Sequence, residues 1–301
     1  MSNRWMRAAR AAVVAVVVVG LAGCARGASP GAAPARTEPG SGSMADSMAG
    51  MNHGTVATMP GMEGVAGPIG DGTRASEFGF TLVVKDRPAA VGRQPIKLVV
   101  TASDGSPVRE AEIEQTKKMH LIVARGDLSG YQHLHPELAA DGTWSVEVNF
   151  FTPGRWHLIA DVTPIAAGKA SARVALGADV DVPGAAPADT PLPAAARTVS
   201  VDGYDVALEG TLRFNADQPL TFTISRSGTP ATDITEYLGA GGHLVALQQG
   251  TLGYTHIHPD GGPGPSLTFT ARAPHAGRYR LFLQFATGDT VHTAAFTVDV
   301  A

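Results

Sequence analysis

The chain has 301 residues, 23 Lys and Arg against 27 Asp and Glu, a formal charge of −4, and a single cysteine. A mildly acidic chain without a basic patch argues against nucleic acid as a partner. One cysteine rules out a disulfide framework, and it leaves the folded part of the chain without a thiolate ligand.

At the N-terminus, Arg4, Arg7 and Arg10 precede the apolar run AAVVAVVVV at 11–19. The run is too short to span a bilayer as a stable helix and has the form of an export signal. Leu21-Ala22-Gly23-Cys24 follows, and then a stretch rich in Gly, Ala, Ser and Pro. This resembles a bacterial lipobox. The resemblance implies a lipoprotein signal peptide over 1–24, lipidation of Cys24, and a place in the cell envelope, on the outer face of the cytoplasmic membrane. Loss of the three signal arginines takes the charge from −4 to −7. The alternative is a plain secretory signal with a chance cysteine.

Residues 25–75 contain SMADSMAGMNHGTVATMPGMEG. Few apolar or aromatic residues accompany this text, so it is predicted to be disordered. Met44, Met48, Met51, Met59 and Met62 have no core to fill there, and His53 lies among them. One reading is a bare tether that spaces the domains from the membrane. The other is soft thioether coordination, which selects Cu(I). The text MAGMNHG resembles the Met/His motifs of bacterial copper-resistance proteins.

Beyond residue 75, helical periodicity is scarce. Alternating or short apolar runs dominate, among them FTLVV, IKLVVTA, HLIVA, WSVEVNF and WHLIADV, with turn residues between them. A second series follows: YDVALEG, LTFTISR, HLVALQQ, LTFTARA and YRLFLQF. The two series correspond at an offset of 123 or 124. Gly79-Phe80 matches Gly203-Tyr204, Gln94-Pro95 matches Gln218-Pro219, and Gly154-Arg155-Trp156 matches Gly277-Arg278-Tyr279. A repeat of about 100 residues has the size of a small domain. The pattern predicts an all-β chain: two tandem homologous immunoglobulin-like or cupredoxin-like antiparallel β-sandwiches after a disordered tail. Their bounds are 76–182 and 199–301. The Ala-, Pro- and Gly-rich stretch 183–198 is the linker.

Both repeats carry one histidine pattern. His120 precedes His133-Leu134-His135-Pro136, and His243 precedes His256-Ile257-His258-Pro259. Residues i and i+2 of a strand share a face. Gly126-Asp127-Leu128-Ser129-Gly130 has turn chemistry. A hairpin centred between Asp127 and Leu128 sets His120 against His135 and Ile122 against His133. All three imidazoles then leave one side of the ribbon. Opposed Cβ atoms lie about 4.5–5.5 Å apart, close enough for two imidazoles to share an ion. The second set has the same register, which predicts two independent sites. Such nitrogen-rich sets suit Cu(II) or Zn(II). Met119 faces the other way in a regular strand. Tyr131, Tyr254, Trp144 and Trp156 read as core or corner residues. The competing reading makes the histidines structural, buried and bonded to loop carbonyls.

The lines MHLIVARGDLSGYQHLHPE and DGTWSVEVNFFTPGRWHLIADV resemble secreted bacterial β-sandwich proteins associated with copper and heavy-metal handling. That resemblance implies metal association without a reaction. A blue-copper site needs a Cys beside two His, and no such Cys is available. No hydrolytic constellation stands out either, so the expectation is not an enzyme. It is a membrane-anchored copper-binding lipoprotein that sequesters metal or hands it to another envelope protein. The alternative is a surface interaction or adhesion lipoprotein with structural histidines.

Overall fold

Alternating burial along GRQPIKLVVT at 92–101 and QPLTFTISR at 218–226 sends every second side chain into a core and its neighbours to water. Strands of this kind build the molecule. The computed structural model describes residues 68–301 apart from 258, with the backbone alone at His256; these residues belong to one unit spanning Asn52–Ala301. The predicted signal peptide, Cys24, Met44, Met48, Met51, His53, Met59 and Met62 lie outside the described residues.

In the first repeat the principal strands are β1 (Phe80–Val84), β2 (Gly92–Thr101), β3 (Met119–Arg125), β4 (Gln132–Leu134), β5 (Thr143–Phe150), β6 (Gly154–Val162) and β7 (Val174–Val182). One sheet has β1, β2 and β5 side by side; the other runs β7-β6-β3-β4. The second repeat has β8 (Thr198–Val201), β9 (Tyr204–Glu209), β10 (Gln218–Arg226), β11 (His243–Gln248), β12 (Tyr254–Ile257), β13 (Ser266–Ala271), β14 (Gly277–Thr287) and β15 (Thr290–Val300). Its sheets are β8-β9-β10 with β13 beside β10, and β12-β11-β14-β15. All of these pairings are antiparallel. The expected pair of repeated sandwiches is present, and in each the histidine hairpin forms one edge of the four-stranded sheet.

Trp144, Trp156 and Phe150 fill the first sandwich, and Tyr204, Phe222, Phe269 and Phe285 the second. The repeated Gly-Arg-aromatic text has a shared job. The Trp156 indole donates to the Thr152 carbonyl at 3.0 Å, and the Tyr279 hydroxyl donates to the His275 carbonyl at 2.9 Å. Each large ring thus satisfies its polar end against the strand entrance. The hairpin between β3 and β4 is set by Asp127, whose carboxylate accepts from Ser129 N at 3.0 Å and Ser129 Oγ at 2.6 Å. Gly130, at φ 68°, carries no side chain because a Cβ there would stand 2.5 Å from the Trp156 ring.

The four-stranded sheets are buried on both faces. Along β3 every residue is buried. Leu121 and Val123 enter the first sandwich. Ile122 and Ala124 point the other way and pack with Val245, Leu247, Tyr254 and Phe282 of the second repeat. Leu244 and Ala246 meanwhile enter the second sandwich. The repeats therefore dock sheet against sheet. Tyr131 stacks on Phe282 across this boundary, with centroids 3.9 Å apart and planes 5° apart. Tyr131 and Tyr254 thus belong to the docking face and not to a sandwich interior.

Two flanking segments are tied to this body. The last part of the predicted tether is anchored: Ile69 bridges Val174 and packs on the first core. In the linker, Thr190 N donates to Asp127 at 2.8 Å, and Leu192 packs against the docking cluster.

Candidate metal centre

The hairpin register matches the sequence expectation. Ile122 lies opposite His133 and Leu121 opposite Leu134, which extends to His120 opposite His135. In the second repeat Val245 lies opposite His256 and Leu244 opposite Ile257. Met119 is fully buried in the first core, on the reverse of the strand from His120. It is not a ligand.

His120, His133 and His135 converge, each offering a ring nitrogen within 4.8 Å of the others. Their ring centroids are 5.1 Å (His120–His133), 5.1 Å (His120–His135) and 4.7 Å (His133–His135) apart. His120 and His133 are buried, and His135 is partly buried. They do not project into solvent; they point into the boundary between the repeats.

Hydrogen bonds at the rim orient the rings. His120 Nε2 lies 3.0 Å from the Glu114 carbonyl. A carbonyl only accepts, so Nε2 carries the proton and Nδ1 is the lone-pair nitrogen. His133 Nδ1 lies 2.7 Å from Gln284 Oε1, while Gln284 Nε2 donates to Thr293 Oγ1 at 3.3 Å. With the amide placed this way His133 Nδ1 donates; with the amide turned over, Gln284 Nε2 donates to His133 Nδ1, Thr293 donates to Oε1, and His133 Nε2 carries the proton. His120 Nδ1 and His133 Nε2 lie 2.9 Å apart, at hydrogen-bond distance. One N–H···N bond between the neutral rings satisfies both nitrogens, and an ion bound by the two rings would take the place of that proton. His135 Nε2, buried nearby, has no hydrogen-bond partner among the described residues.

Burial keeps the rings neutral. Desolvation is the main cause that lowers all three imidazoles. His133 falls to about 3, helped by His120, and His135 to about 2, helped by His133 and His120. His120 is lowered too, with the Asp161 carboxylate opposing the shift. Neutral imidazole is the form that binds metal. Outer hydrogen bonds that orient such rings are a common support of metal sites.

A charged group stands beside the cluster. Asp161 lies opposite His120 on β6. It receives Arg173 through both oxygens at 2.7 Å, and the Tyr254 hydroxyl donates to it at 2.7 Å. Buried carboxylates persist when paired in this way. Tyr254 comes from the second repeat, so this network also crosses the boundary.

Of the second set, only His243 has a described side chain. His243 is buried. Its ring lies 5.8 Å from His120 and 5.6 Å from His133, in the same cluster, with Tyr237 edge-on at 5.2 Å. The side chain of His256 and all of His258 lie outside the described residues. Histidines outside the repeated pattern have local jobs. His157 bonds Asp179 and the Gly72 carbonyl, and His292 bonds Asp202 and Thr287. Gln284, Asp161 and Tyr237 were missed as site residues. One signal was available: Asp161 and Gln284 occupy equivalent places, opposite His120 and His243 respectively.

Fold and site together define an all-β chain of two docked sandwich repeats with a buried histidine cluster between them. The chain belongs to the family described as "Domain of unknown function (DUF8832)", whose model matches residues 75–175 and again 198–301. That description names no metal, so the resemblance to copper-handling proteins has no family-level counterpart. No curated protein matches the chain. Among solved structures, a Salmonella alpha-2-macroglobulin reacted with methylamine is similar over 78% of this chain and 15% of its own, at 13% identity and TM-score 0.26. Domains 4 and 5 of the S-layer protein SbsC are similar over 76% of this chain and 99% of their own, at 11% identity and TM-score 0.22. A putative membrane anchored protein from Corynebacterium diphtheriae is similar over 74% of this chain and 57% of its own, at 10% identity and TM-score 0.22. The chain thus spans less than a quarter of the macroglobulins it matches. Likeness this weak bears on neither function nor fold detail.

Proposed function

We propose that this chain is an extracytoplasmic metal-binding lipoprotein that captures a transition-metal ion at His120, His133 and His135, for sequestration or hand-off and without catalysis. The observation that carries this reading is the convergence of the three imidazoles, whose ring nitrogens lie within 4.8 Å of one another. Three imidazoles suit Cu(II) or Zn(II). The tail methionines and His53 add a separate, soft set for Cu(I). Anchoring through Cys24 places both sets at the membrane surface.

The test is calorimetric titration with Cu(II) and Zn(II) of the mature chain, its five tail methionines changed to Leu and His53 to Ala. One site is expected in the sandwiches. His120→Ala, His133→Ala and His135→Ala should each weaken it sharply. A second substitution should cost much less than the first, because ligands of one ion act as a unit.

A second reading also has an observation in its favour. His120 and His133 are buried and bonded to a carbonyl and a side-chain amide, as structural histidines are. The docked repeats then form a rigid surface module that presents its loops to a partner. Under this reading metal leaves the melting temperature unchanged, and the Ala variants lose about 1–3 kcal/mol of stability through unsatisfied partners.

A further inference from the structure

We infer that His243 supplies a fourth nitrogen to the same ion, so that one metal clasps the two repeats together; this rests on the metal reading of the triad. Two imidazoles bound to one tetrahedral ion at about 2.0–2.1 Å hold their centroids about 5 Å apart. The triad pairs stand at 4.7–5.1 Å, and His243 stands 5.8 Å from His120 and 5.6 Å from His133. The ring nitrogens of His243 stand outside the 4.8 Å group that the triad forms, so its side chain must turn toward the triad to bind.

The placement follows from the fold. His243 opens β11 on the face that also carries Val245 and Leu247, the face turned toward the first repeat. It takes the place in the second repeat that His120 takes in the first. Its neighbour across the strand pair is Gln284, which reaches over the boundary to hold His133 Nδ1. The second repeat therefore contributes a ligand and also the group that orients one of the first repeat's ligands.

Two consequences distinguish a clasp from a triad alone. Four nitrogens close the coordination sphere, as in structural sites, and leave no position for an activated water. An ion that binds only the docked arrangement also stabilises docking, and docking in turn raises affinity for the ion.

Zn(II) is the probe, with the full mature chain carrying the tail substitutions given above. His243→Ala should weaken Zn(II) binding at least about tenfold, a loss that even outer partners of a metal site reach. In the chain with His243 intact, Zn(II) should slow amide exchange at Val245–Leu247 as well as at Leu121–Val123. If His243→Ala binds Zn(II) unchanged while His120→Ala does not, the clasp is overturned and the triad stands. If no Zn(II) binds with all histidines present, both fall. Should His243→Ala fail to fold, exchange decides: protection confined to the first repeat overturns the clasp, and protection in both supports it.

Discussion

His133 is buried and held from both ends, by Gln284 at Nδ1 and by His120 at Nε2. Its ring stays neutral in the metal-free fold down to about pH 3, with burial the main cause. In the unfolded chain it titrates near 6.5. Between those values the unfolded state takes up the proton and the folded state does not. The contribution is therefore complete above pH 6.5 and is lost as the pH falls toward about 3. At pH 5, where most carboxylates remain ionised, His133 alone accounts for about 2 kcal/mol of lost stability. Denaturant titrations of the metal-free chain at pH 7 and pH 5 should show this drop, and His133→Ala should shrink it. An equal drop in the variant would place the pH sensitivity elsewhere.

Strands β3 and β11 serve two interiors at once, and this is where reading the text alone stopped short. The alternation in Gln218–Arg226 marked half-buried strands, and the sandwiches followed from it. The hairpin register followed from Asp127 and the turn around it. The docking of the repeats did not follow, although MHLIVA and HLVAL hold no polar residue after the histidine. A strand buried on both faces reads as a continuous apolar run, and a short run of that kind also fits a strand buried inside one sandwich. Gln284 and Asp161 were hidden for a related reason. Each is a polar residue inside an apolar run, and one of its partners lies across the boundary, in the other repeat. Phe282 tests the docking directly. It is buried against Tyr131 and the docking cluster, outside the core of its own sandwich. Phe282→Ala should destabilise the chain by about 3–5 kcal/mol, the usual cost of removing a buried phenyl ring. Chemical denaturation measures it; a loss below about 1 kcal/mol would mean that the two faces are not tightly packed.

For the whole molecule, the proposed envelope location hangs on one atom, the sulfur of Cys24. The apolar run at 11–19 is too short to hold the chain in a bilayer by itself. Cys24→Ala should move the protein from washed membranes to the soluble fraction without changing the melting temperature of the sandwiches; retention in the membrane would end the lipoprotein reading.

The stretch from 183 to 198 decides which copy of the second repeat meets the first. Because that stretch joins both partners, their meeting is a first-order event with an effective local concentration in the millimolar range. It is held to the body at Thr190 and Leu192 and is otherwise largely exposed. Two chains refolding side by side at high concentration present each other with the same complementary faces. Exchange of second repeats between them would then give a closed, two-fold pair with every buried contact kept. A chain made by duplication thus keeps two complementary faces that could also meet between two copies.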